Sequence, residues 1–342
     1  MAAAIRLSRR NEGLTGDNPC VSCILVRDGV VVGRGVTGRV PTGVEASEIM
    51  RAGGQVPTGG RPHAERVALD EAGDAAKGAT AYVTLEPCAH HGRTPPCADA
   101  LVEAGVARVV IGAGDPDPRV AGRGIARLRE AGINVLEGAL RDECRAQLAP
   151  FLTRMERGRP HVILKLAVSP DGFLGRSDQG NVSVTGPVAR ARVHAMRARC
   201  QAIVVGARTA ILDRPRLDVR IPGLEYRHVA GVVLDRRGHF KRALHEERER
   251  TSHMVHAPPT LDGLMGLGMK VGWSSILFEG GAAVARSFLE ADLVDEIALF
   301  VGATPIGGDV VSPIPPDHVP RGFELVREER LGPDRLLTMR RA

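Results

Sequence analysis

Four residues between His63 and Cys97 are of the types that hold and use a zinc ion. His63 and Glu65 stand at the start of a helical pattern, and Cys88 and Cys97 bound the proline-rich run that follows. One imidazole and two thiolates leave the fourth zinc position open for water, which is the arrangement of a catalytic site and not of a closed structural one. The residue types therefore predict a catalytic zinc centre with His63, Cys88 and Cys97 as its ligands.

Glu65 follows the predicted histidine ligand by two positions, so its carboxylate can stand beside the metal without binding it. Zinc lowers the pKa of its bound water to about 7, and a neighbouring glutamate can move the protons of that water. Zinc deaminases use this chemistry to release ammonia from an aromatic ring, with the signature H-x-E followed by P-C-x-x-C. The first half of that signature matches, but eight residues separate Cys88 from Cys97. We expect a deaminase in which Glu65 is the catalytic residue.

Each of these residues has an ordinary alternative when it is taken alone. His63 could cap a helix and Cys88 could be a packed thiol, since free cysteines are often buried. A structural zinc site would need a fourth ligand, which His90 or His91 could supply. The four residue types in this order favour the catalytic interpretation, in which His90 and His91 line the substrate pocket.

The spacing of the two cysteines carries a family resemblance. Residues 84–88, Thr-Leu-Glu-Pro-Cys, and residues 92–97, Gly-Arg-Thr-Pro-Pro-Cys, resemble the deaminase half of the bifunctional deaminase/reductase family of riboflavin biosynthesis. The resemblance covers most of residues 10–155. It implies a cytidine-deaminase-like fold of three layers, α/β/α, and a small phosphorylated pyrimidine as the substrate. It also implies that three residues contact this substrate, namely Asn18, His90 and Arg93.

A short duplication precedes the predicted histidine ligand. The sequence Val-Pro-Thr-Gly occurs at 40–43 and again at 56–59. We interpret it as a tandem insertion, with residues 44–51 as a possible helix. It could cover the mouth of the pocket, or it could be a surface loop of the kind that tolerates insertions.

One departure from the family concerns the substrate phosphate. Many members have a histidine near the phosphate at the position where this chain has Thr37. A threonine hydroxyl can donate a hydrogen bond to phosphate but carries no charge. Arg93 matches a basic position of the family and is expected to supply the cation instead.

Alternating strand and helix patterns must position these residues. An Asp28-Gly29 turn separates two apolar strands, and a helix runs from His63 to about Ala72. Further strands are predicted at 79–85, 107–113 and 133–136, with helices at 122–131 and 139–158. Such alternation predicts an α/β sheet that is covered on both faces. We place a deaminase domain at 1–150 and a second domain at 160–342. Cys20 and Cys23 lie inside a strand pattern, which favours packing over a redox or metal role.

The second domain has a strand at 162–168 that is apolar except for Lys165, and a later strand that ends in Glu279-Gly280-Gly281. Backbone N–H groups at a helix start after such glycines can hold a cofactor phosphate. With the Pro-Ile-Gly-Gly run at 305–308, these features resemble the reductase half of the same family. The resemblance implies a dihydrofolate-reductase-like α/β fold, NADPH as cofactor and a homodimer formed through this half.

The same resemblance implies two sets of contact residues. Those expected to touch the reductase substrate are Lys165, Asn181, Arg197, Leu217, Arg220 and Glu279. Those expected to touch NADPH are Ala167, Ser183, Thr209, Asp213, Gly281, Ala282, Ala283, Val284, Ala285, Arg286 and Ser287. The two arginines of the first set are expected to bind the ribose phosphate, because a guanidinium fork matches phosphate oxygens.

Several departures weaken the reductase prediction. Arg214 stands where family members commonly have aspartate, Ser183 where many have tryptophan, and Arg208 where a small residue is usual. The stretch at 235–279 is also short. The alternative is therefore a zinc deaminase whose second half only binds ligands or dimerises.

Composition limits the remaining classes of function. The chain has 342 residues, which predicts about two domains, and a net charge of +6. Aromatic residues make up only 3%, too few for the stacking platforms of a nucleic-acid-binding protein. No apolar run approaches the roughly 20 residues of a membrane span, and residues 1–10 lack the apolar core of a signal peptide. We expect a cytoplasmic enzyme with no nucleic-acid or membrane partner.

Overall fold

The computed structural model describes residues 1–40, 61–90, 95–178, 182–224, 226–240, 254–256 and 258–342. The chain divides into two compact units, Met1–Gly158 and Arg159–Ala342. Arg93, Asn181 and the duplicated segment 41–60 lie outside the described residues. Within the described part of the chain, no helix is long and apolar enough to cross a membrane.

The first unit is built on a five-stranded sheet with the order β2-β1-β3-β4-β5. Its β1 pairs antiparallel with β2 and β3, whereas β3, β4 and β5 run parallel. The strands are β1 Ser22–Arg27, β2 Val30–Val36, β3 Thr80–Leu85, β4 Arg108–Ala113 and β5 Asn134–Leu136. The α-helices are Ala2–Ser8, Ala64–Ala72, Cys97–Glu103, Arg123–Glu130 and Arg141–Arg157, with 3-10 turns at Arg9–Asn11 and Gly73–Ala76.

Burial in this sheet shows that both of its faces are covered. Consecutive residues of β4, from Val109 to Ala113, are all buried, which is the pattern of a central strand in an α/β sheet. The β1–β2 turn has positive φ at Asp28 and Gly29, as a two-residue hairpin requires. Cys20 and Cys23 are buried and form no disulfide, and the Cys20 thiol donates to the carbonyl of Ser8 at 2.8 Å.

Two glycines of β2 bring the helix Ala64–Ala72 close to the sheet. A Cβ at Gly35 would overlap the carbonyl oxygen of Ala64, and one at Gly33 would overlap that of Ala68. Only glycine allows this approach. The close contact fixes the first turn of the helix, which carries Glu65 and is preceded by His63.

The second unit is built on an eight-stranded sheet with the order β10-β9-β8-β11-β6-β12-β15-β14. Six strands run parallel. After them, β15 pairs antiparallel with β12, and β14 pairs antiparallel with β15. A separate pair is formed by β13 and β7. The strands are β6 His161–Val168, β7 Phe173–Gly175, β8 Ala202–Gly206, β9 Ala230–Leu234, β10 Met254–His256, β11 Ser275–Glu279, β12 Glu296–Val301, β13 Val310–Val311, β14 Phe323–Leu331 and β15 Asp334–Arg341. The helices are Pro187–Arg197, Ala207–Asp213, Leu261–Val271 and Ala282–Glu290.

Candidate functional sites

The three predicted zinc ligands meet at one point of the first unit. His63 is the residue before the helix Ala64–Ala72, Cys88 lies in the loop after β3, and Cys97 begins the helix Cys97–Glu103. Their ligand atoms all lie within 4.8 Å of one another. His63 Nδ1 is 3.1 Å from Cys97 Sγ and 3.6 Å from Cys88 Sγ. One nitrogen and two sulfurs at this spacing fit zinc with a fourth position left open.

The electrostatics of this cluster already favour a negative sulfur. Hydrogen bonding to Cys97 and then to His63 lowers the pKa of the Cys88 thiol to about 4, although burial opposes the change. The backbone N–H of Cys97 also donates to Cys88 Sγ at 3.3 Å. The pKa of Cys97 is raised, first because its thiol is the group bonded to Cys88 and then because it is buried. Zinc binds thiolates, so its binding would displace the proton that the two sulfurs share.

Glu65 lies beside the three ligands and is 4% exposed. Burial, and next the negative charge of Cys88, raise the pKa of its carboxyl to about 7. A carboxyl with a pKa near neutrality can take up a proton and release it again at physiological pH. A carboxyl at this position and with this pKa is suited to general acid–base catalysis, the role predicted for Glu65.

Glu86, which stands in the Thr-Leu-Glu-Pro-Cys motif, has a structural role that its sequence position did not reveal. Its buried carboxylate accepts hydrogen bonds from the backbone N–H groups of Asp115, Gly122, Gly124 and Ile125, at 3.1–3.4 Å. These bonds join the start of the cysteine loop to the turn after β4 and to the first turn of the helix Arg123–Glu130. Glu86 therefore fixes the backbone two residues before the Cys88 ligand.

Replacing Glu86 by glutamine is expected to loosen the zinc loop. One oxygen becomes an NH2 group that faces backbone donors, which should destabilise the first unit by about 1.5–3 kcal/mol, the usual worth of a hydrogen bond to a charged group. Hydrogen exchange of the β3 and β4 amides measures the stability, and zinc loss to a chelator measures the effect on the site. The matched control is Glu103→Gln, an exposed residue of the same unit. Zinc retention equal to that of the unchanged protein would show that Glu86 does not position Cys88.

The remaining residues predicted to contact the deaminase substrate differ in burial and in hydrogen bonding. Asn18 is half-buried in a turn closed by its own N–H, which donates to the carbonyl of Thr15 at 3.2 Å. His90 Nδ1 is buried and has no hydrogen-bond partner among the described residues. Thr37 is buried and its hydroxyl accepts from the N–H of Val21 at 3.0 Å. The hydroxyl that we expected near the phosphate is therefore engaged within the fold.

Three charged residues of the second unit, one of them buried and two half-buried, form a cluster where the end of β11 lies beside the middle of β6. Lys165 and Glu279 are register partners on these neighbouring strands. Arg197, the last residue of its helix, donates from Nε and Nη2 to the two carboxylate oxygens of Glu279, at 2.6 and 2.9 Å. Burial lowers the pKa of Lys165, while the charge of Glu279 opposes that change. In open α/β sheets, ligands bind beyond the carboxyl ends of the parallel strands.

The two arginines that we expected at the phosphate differ in burial and in their hydrogen-bond partners. Arg197 is buried, and its third nitrogen, Nη1, donates to the carbonyl of Asp218 at 3.0 Å. Each of its three nitrogens thus donates to a protein group, two to Glu279 and one to the backbone at Asp218. Arg220 is exposed, and its backbone N–H donates to His194 Nδ1 at 3.2 Å. Leu217, predicted beside the same ligand, is buried in the core with a φ of 50°.

The predicted cofactor residues lie on two neighbouring strand ends. Thr209 follows β8 and Gly281 follows β11, and a Cβ at Gly281 would lie 3.8 Å from Thr209 Oγ1. Gly281 precedes the helix Ala282–Glu290, whose first N–H groups can bind phosphate. Ser183 and Asp213 are exposed and Ala167 is half-buried. Within 282–287, Ala285 faces the core, whereas Ala283, Arg286 and Ser287 are exposed and Ala282 and Val284 half-buried.

Two family models match the chain, one in each unit. The model of the cytidine and deoxycytidylate deaminase zinc-binding region matches residues 1–113, and that of the RibD C-terminal domain matches residues 160–337.

Relatives match along nearly the whole chain. The riboflavin biosynthesis protein RibD of Escherichia coli (strain K12) is 38% identical over 343 residues, covering 90% of this chain and 88% of its own. RibD of Actinobacillus pleuropneumoniae is 34% identical and covers 98% of this chain and 93% of its own.

Solved structures of RibD proteins also match the whole chain. RibD of Acinetobacter baumannii superimposes with a TM-score of 0.78 at 34% identity, covering 100% of this chain and 97% of its own. A diaminohydroxyphosphoribosylaminopyrimidine deaminase/5-amino-6-(5-phosphoribosylamino)uracil reductase from Thermotoga maritima superimposes with a TM-score of 0.80 at 31% identity, with the same coverage. The predicted fold, a cytidine-deaminase-like α/β/α domain followed by a dihydrofolate-reductase-like α/β domain, is confirmed.

Proposed function

The chain belongs to the RibD family of riboflavin biosynthesis proteins, and from this premise we propose that it catalyses two successive reactions. The first unit deaminates 2,5-diamino-6-ribosylamino-4(3H)-pyrimidinone 5′-phosphate to the corresponding uracil and ammonia. The second unit reduces the ribosyl group of that product to a ribityl chain. The observation that carries the proposal is the meeting of His63, Cys88 and Cys97 within 4.8 Å beside the buried Glu65.

In the deamination, His63, Cys88 and Cys97 would hold zinc. Zinc, when bound, supplies an activated water at the open fourth position. Glu65 takes a proton from the water that attacks the ring and delivers it to the departing ammonia. Its pKa of about 7 allows it to be found in either protonation state at neutral pH. Asn18, His90 and Arg93 are the proposed contacts of the pyrimidine and its ribose phosphate.

In the reduction, NADPH would supply the hydride that is added to C1′ of the ring-opened ribosyl group. The phosphates of this cofactor are proposed to lie at Gly281 and the start of the helix that follows, near Thr209. Lys165 and Glu279 are paired residues on the adjacent central strands β6 and β11. Lys165 is the proposed proton donor that accompanies the hydride, because its lowered pKa makes it a stronger acid than a solvated lysine.

The second candidate function is a zinc deaminase whose C-terminal half does not reduce. It is not favoured, because the match to the RibD C-terminal domain extends over residues 160–337 despite Arg208, Arg214 and Ser183. A homodimer, as the family resemblance implies, and a location in the cytoplasm complete the proposal. Sedimentation of the full chain tests the dimer.

The two activities can be tested separately on the full chain. With the diaminopyrimidine substrate alone, the zinc-loaded protein should release ammonia and form the deaminated pyrimidine. Addition of NADPH should then lead to its oxidation and to the ribityl product. Ammonia release without NADPH oxidation would select the second candidate function, and the absence of both would refute the proposal.

A further inference from the structure

A buried arginine with incomplete hydrogen bonding lies beside the deaminase site. Arg61 is 5% exposed, and its Nη2 lies 3.2 Å from Oδ1 of Asp17. Its Nε and Nη1 are also buried but find no hydrogen-bond partner in the part of the chain that the structure describes. A guanidinium carries five N–H donors, and leaving buried donors of a charged group unpaired is costly. The side chain is therefore placed for an acceptor that these residues do not supply.

The position of Arg61 links two predicted parts of the deaminase site. It stands two residues before the zinc ligand His63. Its guanidinium packs against the turn that carries Asn18, because Nη2 and Nη1 lie 3.6 and 3.8 Å from the place of a Cβ on Gly16. Arg61 is thus close in sequence to the predicted zinc ligand and in contact with the turn that carries the proposed pyrimidine contact.

The substrate phosphate needs a cation, and Arg93, the cation expected from the family resemblance, lies outside the described residues. Glu65, Asp115 and Asp117 are acidic, whereas the proposed substrate carries a phosphate. Arg119 is already engaged with both carboxylate oxygens of Asp117, at 2.5–3.0 Å, and is mostly exposed. Among the described arginines that border this site, Arg61 is the one that combines burial with unpaired donors.

We propose that Arg61 binds the 5′-phosphate of the deaminase substrate and that Asp17 holds the guanidinium in place for it. The inference rests on the function proposed above and adds the residue that selects a phosphorylated ribosylaminopyrimidine over the unphosphorylated riboside. Hydrogen bonds between a guanidinium and phosphate oxygens are charge-assisted and strong. A contact with the phosphate acts on substrate binding, because the phosphate takes no part in the bonds that change.

Kinetics with two substrates test the proposal. Arg61→Gln should raise the KM for the phosphorylated substrate by about 10- to 100-fold, the range for one charge-assisted hydrogen bond, with kcat unchanged. The KM for the dephosphorylated riboside should stay the same. Arg61→Lys keeps the positive charge but not the forked guanidinium, so its KM for the phosphorylated substrate should lie between those of the unchanged protein and Arg61→Gln. Arg108→Gln, which alters an exposed arginine at the start of β4, is the matched control and should behave as the unchanged protein.

A second variant distinguishes phosphate binding from a purely structural ion pair. Asp17→Asn removes the carboxylate but leaves the guanidinium, so the preference for the phosphorylated substrate should persist. If Arg61 serves only to pair with Asp17, Arg61→Gln and Asp17→Asn should change the kinetics alike and affect both substrates equally. That result would overturn the proposal.

Hydrogen exchange provides a readout that does not require catalysis. Ribose 5-phosphate added to the zinc-loaded full chain should slow amide exchange in peptides that cover 14–20 and 61–67, and ribose should not. The protection should vanish in Arg61→Gln. If the unchanged protein fails to deaminate yet shows this protection, the proposed function is refuted and the phosphate site stands. If it deaminates normally and shows no Arg61-dependent protection or KM change, the phosphate site is refuted alone.

Discussion

Replacement of Glu65 by glutamine is expected to lower the kcat of deamination by about 10²- to 10⁴-fold, the range for loss of a general acid–base. Glutamine keeps the size of the side chain and its place on the helix but cannot carry the proton to ammonia. Because Glu65 is not a proposed ligand, the variant should bind zinc as the unchanged protein does. Ammonia release and metal analysis on the same sample measure the two properties together.

The helix that carries Glu65 also offers the control. Glu71 lies on its exposed side, where it pairs with Arg34 at 2.8 Å. Glu71→Gln should leave deamination unchanged. The Glu65→Gln variant should also reduce the deaminated intermediate at the normal rate, because the reduction is assigned to the second unit. Near-normal deamination by Glu65→Gln would mean that another group moves the proton.

Replacement of Lys165 by methionine is expected to lower NADPH-dependent reduction by about 10²-fold or more, as expected for a lost proton donor. Lys165 is buried beside Glu279, and its Nζ lies 5.9 Å from the centre of the Phe300 ring. Methionine fills similar space, and Glu279 keeps its two bonds from Arg197. The fold should therefore persist while the proton donor is lost.

The measurement is NADPH oxidation with the deaminated intermediate as substrate, beside ammonia release with the diaminopyrimidine. Deamination by Lys165→Met should be unaffected. The matched control, Lys270→Met, alters an exposed lysine at the end of the helix Leu261–Val271 and should leave both reactions unchanged. Reduction at the normal rate in Lys165→Met would remove Lys165 from the proposed chemistry.

The zinc ligands could be predicted from the sequence because their residue types limit the chemistry. A histidine, a glutamate two residues later and two cysteines in a proline-rich run leave few interpretations, and local patterns predicted the helix after His63 and the strand before Cys88. The structure brings these ligands together as expected. The pattern of alternating strands and helices likewise predicted the α/β fold, since it depends on short-range periodicity.

The roles of Glu86, Arg61 and Arg197 could not be predicted in the same way. Each depends on partners that are distant in the sequence: Glu86 binds backbone N–H groups at 115–125, Arg61 meets Asp17, and Arg197 meets Glu279. The family resemblance and the guanidinium chemistry indicated a phosphate contact for Arg197, whereas each of its three nitrogens donates to a protein group. Only the packing shows which charged side chains still have donors to offer.

X-ray absorption spectroscopy of the zinc-loaded protein is the most direct test of the central claim. The account predicts two sulfur ligands at about 2.3 Å and two nitrogen or oxygen ligands at about 2.0 Å, which are His63 and a water. Cys88→Ser should lower the sulfur count to one. A site with no sulfur or with four sulfur ligands, or protein that retains no zinc after reduction and loading, would contradict the account.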